Sequence, residues 1–249
     1  MRPVMASMAC AVLFSALVFA EDVPAPKTTD SWYLWSTQGQ RDEAKGYLHI
    51  RRGSVDEKLA PVRLEIDFRI MSKGKSLRLL LQEWCKDDAW LSPVKIVSQG
   101  EGDDEFGTFT ATVSRMAGTT AGKLSAVLKG RKVEIEVPEH TATFFGLFEV
   151  VRTLPFDKDK VFECAVLESE ELNLKKDRKI VYLGEEELDV AGELMRLHKF
   201  EHTGAGRVVA CYWLNDKHEL LRVLIDGRKE LVLTTREKAE AALAAPKGE

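Results

Sequence analysis

The sequence predicts a mainly β protein: an antiparallel curved sheet or half-open barrel wrapping one central helix, with a short C-terminal helix after it. Three observations carry that prediction. Apolar residues recur with a period of two through many short segments, turn chemistry interrupts those segments at short intervals, and a single mid-chain stretch switches to helical spacing.

The clearest period-two run places Val62, Leu64, Ile66, Phe68 and Ile70 on one side and Arg63, Glu65, Asp67 and Arg69 on the other, the pattern of a half-buried strand. The same rhythm runs through Tyr47 to Arg51. It returns at Phe109, Ala111 and Val113, and again at Val133, Ile135 and Val137. Strands with one apolar and one polar face belong to antiparallel sheet with one wet side. Between them stand Lys73-Gly74-Lys75, Gly100-Glu101-Gly102, Gly118, Lys129-Gly130-Arg131, Asn215-Asp216-Lys217 and Asp226-Gly227-Arg228, a spacing that reads as hairpins in a meander.

The exceptional stretch has Phe144, Leu147, Phe148, Val151 and Leu154 at i, i+3, i+4, i+7 and i+10, ended by Pro155. It predicts a helix over 143–154 whose apolar stripe fills the concave side of the sheet. The last two turns bracket strands near 207–214, 219–225 and 229–234. Thr234 and Glu237 then stand at capping-box spacing and open a helix through the alanines to Pro246.

The first twenty residues carry one charge, Arg2, then an apolar run from Ala9 to Ala20 broken only by Ser15 and ending in Val18-Phe19-Ala20. That is the plan of a signal peptide over residues 1–20, with cleavage expected after Ala20. The run is shorter than the roughly 20 apolar residues of a membrane-spanning helix, so no transmembrane segment is expected after cleavage. A linker at 21–30 and one β-rich extracytoplasmic domain at 31–245 follow, located in the periplasm or outside the cell.

Without residues 1–20 the chain has 35 basic and 40 acidic side chains, for a net charge of −5, with both signs interspersed. Such a surface lacks the potential that gathers phosphate backbones, and no nucleic acid partner is expected. Cys85, Cys164 and Cys211 are widely spaced, each inside an apolar run, so no C-x-x-C motif exists. They read as buried thiols or as one disulfide with a thiol left over.

Several segments together resemble a group of uncharacterised exported bacterial β-proteins, the DUF3108-like family. They are the opening Trp32-Tyr33-Leu34 with Gly46-Tyr47 and His49, the 144–155 stretch followed by Val161-Phe162-Glu163-Cys164, and the ending from Tyr212 to Asp216, Leu220 to Val223 and Leu233 to Glu237. The resemblance implies strands wrapped around a central helix, distantly similar to the half-open barrels of lipoprotein carriers. It transfers no active residue.

Candidate chemistry is sparse. His198-Lys199-Phe200-Glu201-His202 matches H-x-x-E-H, in which two histidines one helical turn apart bind zinc and the glutamate acts as base. A strand is expected over 194–202 instead, which sets His198 and His202 about 13 Å apart at roughly 3.3 Å per residue, too far to share one ion. A zinc-dependent hydrolase using His198, Glu201 and His202 is therefore the minor alternative. Glu101, Asp103, Asp104 and Glu105 offer oxygens of the kind calcium accepts, but without a regular calcium-loop pattern they read as a solvated hairpin tip. No G-x-S-x-G elbow or glycine-rich phosphate loop is present, and no cofactor is expected.

The favoured reading is an exported, non-enzymatic envelope protein that binds a lipid or another apolar or amphiphilic ligand. Trp32, Trp35, Trp90, Phe144 and Phe148 are the candidate pocket residues. The alternative from a different class is a structural or assembly module that meets an envelope protein through strand edges.

Overall fold

The computed structural model describes residues 27–38, 44–72, 75–102, 108–115, 121–190 and 192–244. The expected signal peptide, most of the 21–30 linker, the Lys73-Gly74 and Gly118 turns, and Asp103, Asp104 and Glu105 lie outside the described residues.

Eight strands run first as an antiparallel meander: β1 (Thr29–Thr37), β2 (Gly46–Ser54), β3 (Val62–Ser72), β4 (Lys75–Cys85), β5 (Pro93–Glu101), β6 (Phe109–Arg115), β7 (Gly122–Leu128) and β8 (Arg131–Val137). The predicted alternation holds in β3, where Val62, Leu64, Ile66 and Phe68 are buried and the charged residues between them are half-buried. β4 matches it with Leu77, Leu79, Leu81, Glu83 and Cys85 turned to the same side.

A short β9 (Thr141–Thr143) leads into the interior segment, which returns through β10 (Val161–Glu168) to a second meander. That meander comprises β11 (Asn173–Val190), β12 (Glu193–Gly204), β13 (Arg207–Leu214), β14 (Leu220–Ile225) and β15 (Lys229–Thr234). β15 pairs antiparallel with β1, with Trp35 opposite Leu231, and so joins the first and last strands. One fifteen-stranded sheet results, running from β8 through β1 and β15 to β9.

The two edges of that sheet, β8 and β9, are consecutive in the chain and separated only by Pro138, Glu139 and His140. A three-residue link between opposite edges requires the sheet to curl round on itself. It forms a nearly closed barrel with a seam at β8 and β9. The expectation of a half-open barrel fits this architecture, but the sheet is mixed rather than purely antiparallel. β9 pairs with β10 in parallel, because the interior segment between them carries the chain back to the same end before β10 begins.

The predicted helix over 143–154 is much shorter than its spacing implied. It is one α turn, α1 (Leu147–Val150), continued by a 3-10 turn at Val151–Thr153. The apolar stripe was an incomplete guide because the segment is enclosed on nearly every side. Leu147, Phe148, Val150 and Val151 are buried, and so is Glu149, which lies 3.3 Å from Arg152. Arg152 in turn donates to Ser31 of β1 at 3.3 Å, tying this plug to the wall. The main core gathers Tyr33, Leu48, Leu64, Phe148, Phe200 and Tyr212 around it.

The C-terminal helix α2 (Arg236–Ala244) lies against β1 and β2 on the outer face. Its N-terminal cap is Thr235, whose hydroxyl oxygen accepts from the Lys238 amide, one residue later than the Thr234 capping box anticipated. A second apolar cluster on the outer face joins Leu197, Cys211, Trp213, Leu221 and Val232. The three cysteines are free and buried. Among the described residues no helix is long and apolar enough to cross a membrane.

Candidate functional site

Where β3 ends and β4 begins, the barrel wall and the plug leave a cavity of about 600 Å³, within the range of small-molecule sites. Its floor and one wall are apolar. Inward-facing positions bring Trp35 from β1, Phe68 and Ile70 from β3 and Leu77 from β4, and Phe144 and Phe145 close the bottom at the entrance to the plug. Trp35 meets Phe68 edge-on at 4.9 Å between ring centres, and Phe144 meets Phe145 in the same way at 5.4 Å.

The opposite wall is polar and comes from β10 to β13. Glu168, Lys175 and Arg178 line it, and Asp177, Arg207 and Lys229 stand exposed at the rim. The Lys229 ammonium lies 5.6 Å from the centre of the Trp35 ring, joining the charged rim to the apolar wall.

His202 is the unusual member of this wall. β12 turns His198, Phe200 and His202 inward, and His202 is 1% exposed with neither ring nitrogen hydrogen-bonded. Burial, and then the nearby Arg178 charge, pull its pKa down to about 4, so the ring is neutral at physiological pH. A neutral imidazole holds one N–H donor and one acceptor nitrogen. Both are unspent here, and leaving a buried polar group unmatched costs about 1–3 kcal/mol.

Arg178 shares that surface. β11 directs Arg178, Ile180 and Tyr182 inward, and Gly204 of the neighbouring strand makes room for the guanidinium. A Cβ at position 204 would fall 1.6 Å from Arg178 Nη1, so any side chain there displaces the arginine. Arg178 Nε, Glu170 Oε2 and the Tyr212 hydroxyl are also buried without a partner, and the Tyr212 ring is stacked 6.4 Å from His202. Burial raises the Glu170 carboxyl above its usual range, helped by the charges of Glu168 and Glu171. Of these unpartnered groups, His202, Arg178 and Glu170 line the polar wall of the cavity.

The structure brings Trp35 and Phe144 together at this cavity and places the other three aromatic candidates elsewhere. Phe148 is fully buried in the core behind Phe144, 6.2 Å away ring to ring. Trp32 faces outward, stacked at 3.9 Å on His49, with the Arg236 guanidinium 5.7 Å from its ring. Trp90 lies beyond the far end of β4 from Leu77, roughly 26 Å along the strand to Cys85 at 3.3 Å per residue.

The H-x-x-E-H segment lies on β12, as the strand expectation had it. His198 is committed through both nitrogens, to the Tyr182 hydroxyl at 2.8 Å and to Asp216 at 2.9 Å, and its ring stacks on Phe156 at 3.7 Å. Glu201 falls on the opposite face from both histidines, so the strand keeps the three side chains from converging on one ion. Among the described residues no group of three histidine, cysteine or acidic side chains is placed to hold a metal.

Sequence reasoning weighed His202 only within the minor zinc alternative and passed over Arg178, Gly204 and Glu170 as partners in its environment. A signal existed. His202 and Arg178 occupy the phase of their strands otherwise taken by Phe200, Ile180 and Tyr182, and a polar residue in an apolar phase marks a buried polar group.

No family model matches the chain, and no curated protein matches it by sequence. Among solved structures it is similar to the crystal structure of a β-barrel-like protein of domain of unknown function DUF1849 from Brucella abortus. The TM-score is 0.51 at 7% identity, over 85% of this chain and 97% of that one. Identity at that level speaks for the fold alone, and it does not carry the DUF3108-like assignment. The chain is a β-barrel-like protein that shares its architecture with a domain of unknown function.

Proposed function

We propose that this chain is an exported, non-enzymatic binding protein of the cell envelope or extracellular space that holds an apolar or amphiphilic ligand in the barrel cavity. The observation that carries the reading is the pairing of an apolar floor of Trp35, Phe68 and Phe144 with the unpartnered, buried His202. Apolar surface open to a cavity of this size gains free energy when a chain replaces water, at roughly 25 cal/mol per Å². The unspent nitrogens of His202 gain from a head group that supplies them a hydrogen-bond partner. Export rests on residues 1–20, and kinship with the DUF3108-like exported proteins belongs to the same reading.

The assembly-module alternative is less favoured. Among the described residues β8 is a sheet edge, and it carries Arg131, Lys132, Glu134 and Glu136. Charged side chains along an edge discourage the addition of a foreign strand.

The test is native mass spectrometry of the chain expressed at full length in an exporting bacterium and purified without detergent. The expected spectrum shows a polypeptide beginning at Glu21 with a lipid-sized adduct. A polypeptide that keeps residues 1–20 overturns the export reading, and a bare polypeptide that takes up no added amphiphile overturns the binding reading.

A further inference from the structure

Resting on the ligand reading above, we propose that the cavity selects a single-chain amphiphile with an anionic oxygen head group, a carboxylate or a phosphate ester, received by Arg178 with His202 as hydrogen-bond donor. The chain of such a ligand lies along Trp35, Phe68 and Phe144, and its head meets the wall of β11 and β12.

The charge arrangement at the head end decides the sign. No acid near Arg178 forms an ion pair with it among the described residues, although the exposed Asp177 carboxylate feels its charge. Asp177 accepts the Ala205 amide at 2.9 Å, and Glu168 stands 3.8 Å from Lys175. Asp226 sits on an exposed turn at the rim, and burial raises the Glu170 carboxyl above its usual range. Among the described residues no carboxylate pairs with the Arg178 guanidinium, whose Nε is buried and unmatched. An anionic head supplies the missing acceptor, and guanidinium pairs such heads in a two-pronged geometry.

Other head groups fit less well. A quaternary ammonium head would face Arg178, Lys229 and Arg207 as a like charge. A hydroxyl head would satisfy His202 but give the guanidinium neither a charge-assisted acceptor nor a two-pronged partner. Neutral His202 complements the arginine, since its N–H donates to a second oxygen of the same head without adding another cation.

Isothermal titration of the signal-cleaved protein at neutral pH and below micelle formation, with four probes sharing one tail, tests this. The probes are dodecanoate, dodecyl phosphate, dodecanol and dodecyltrimethylammonium. At least one anionic probe is expected to bind about tenfold or more tightly than dodecanol, the factor given by one charge-assisted hydrogen bond. Whichever anion binds tighter separates a fatty-acid source from a phosphate-bearing lipid. Arg178→Gln is expected to bring anion and alcohol to within about twofold of each other, and the wild-type comparison stands by itself if that variant fails to fold. If dodecanol or the ammonium probe binds as tightly as both anions, or if R178Q keeps the anion preference, the head-group assignment falls while the ligand reading survives. If none of the four binds, both fall.

Discussion

Thr143 and Glu83 meet inside the barrel, the Thr143 hydroxyl donating to a Glu83 carboxylate oxygen at 2.5 Å while Ser169 donates to the other oxygen at 2.7 Å. Thr143 belongs to β9 at the seam and Glu83 to the inner face of β4, so a side-chain bridge spans a place where the sheet has no backbone ladder. Glu83 is fully buried, and burial lifts its pKa to about 7 against the opposing pull of the two hydroxyls. The raised value means that the folded protein binds the Glu83 proton more tightly than the unfolded chain does. Stability from this group is therefore complete below the ordinary carboxyl range near 4.5 and is lost as pH rises to about 7. Urea unfolding of wild type and Glu83→Gln across that range reads the effect. The variant is expected to gain on wild type as pH rises, by roughly 3 kcal/mol once both values are passed. Parallel pH profiles for the two proteins would contradict this.

The same bridge continues to the plug. Gly146 donates its amide to the Thr143 hydroxyl oxygen at 2.9 Å, and a Cβ on Gly146 would stand only 2.6 Å from that oxygen. Gly146→Ala is expected to destabilise by about 1–3 kcal/mol through overpacking. Thr143→Val should cost a similar amount by leaving the Glu83 oxygen and the Gly146 amide without a partner. Denaturation midpoints measure both, and unchanged midpoints would show that the plug entrance is not held there.

His202→Leu should move stability the other way. The substitution removes two buried nitrogens that have no partner and keeps an apolar contact with Tyr212. It is expected to stabilise the ligand-free protein by about 1 kcal/mol while weakening binding of an anionic amphiphile. A thermal melt and a titration on one preparation give both readouts, and a variant that is less stable with unchanged binding would show His202 to be an ordinary packing residue.

Much of this was legible from residue order. The alternation of Val62 to Ile70 located β3 and its buried face, and Asp226-Gly227 located the last hairpin, because period and turn chemistry are local properties. Trp35 and Phe144 were both singled out, and alternation along one strand puts Trp32 and Trp35 on opposite faces, but nothing in the sequence says that Trp35 and Phe144 share a cavity. That depends on the pairing of β1 with β15, a contact between the two ends of the chain that closes the sheet around the plug. The parallel pairing of β9 and β10 was equally hidden, since a three-residue strand has too few positions to show a period. Glu83 was visible in principle as one acid in the series Leu77, Leu79, Leu81, Glu83 and Cys85. Its partners Thr143 and Ser169 are 60 and 86 residues away, and no local pattern names them.

The cysteines give an independent check on how tightly the barrel is packed. Burial raises all three thiols, Cys164 up to about 12, and none is disulfide-bonded. Native protein is expected to leave a thiol reagent nearly unconsumed at mildly alkaline pH and to react at all three positions in urea. Reaction of only one thiol after unfolding would mean that two had paired.

An apolar chain lying against Trp35 and Phe144 is accessible to tryptophan quenching with a dodecanoate brominated along its tail. Saturable quenching is expected in wild type, and in Trp35→Phe the loss of most of that quenching with binding by calorimetry retained. Quenching unchanged in Trp35→Phe would place the chain at another tryptophan, and no saturable quenching in wild type would contradict an occupied barrel cavity.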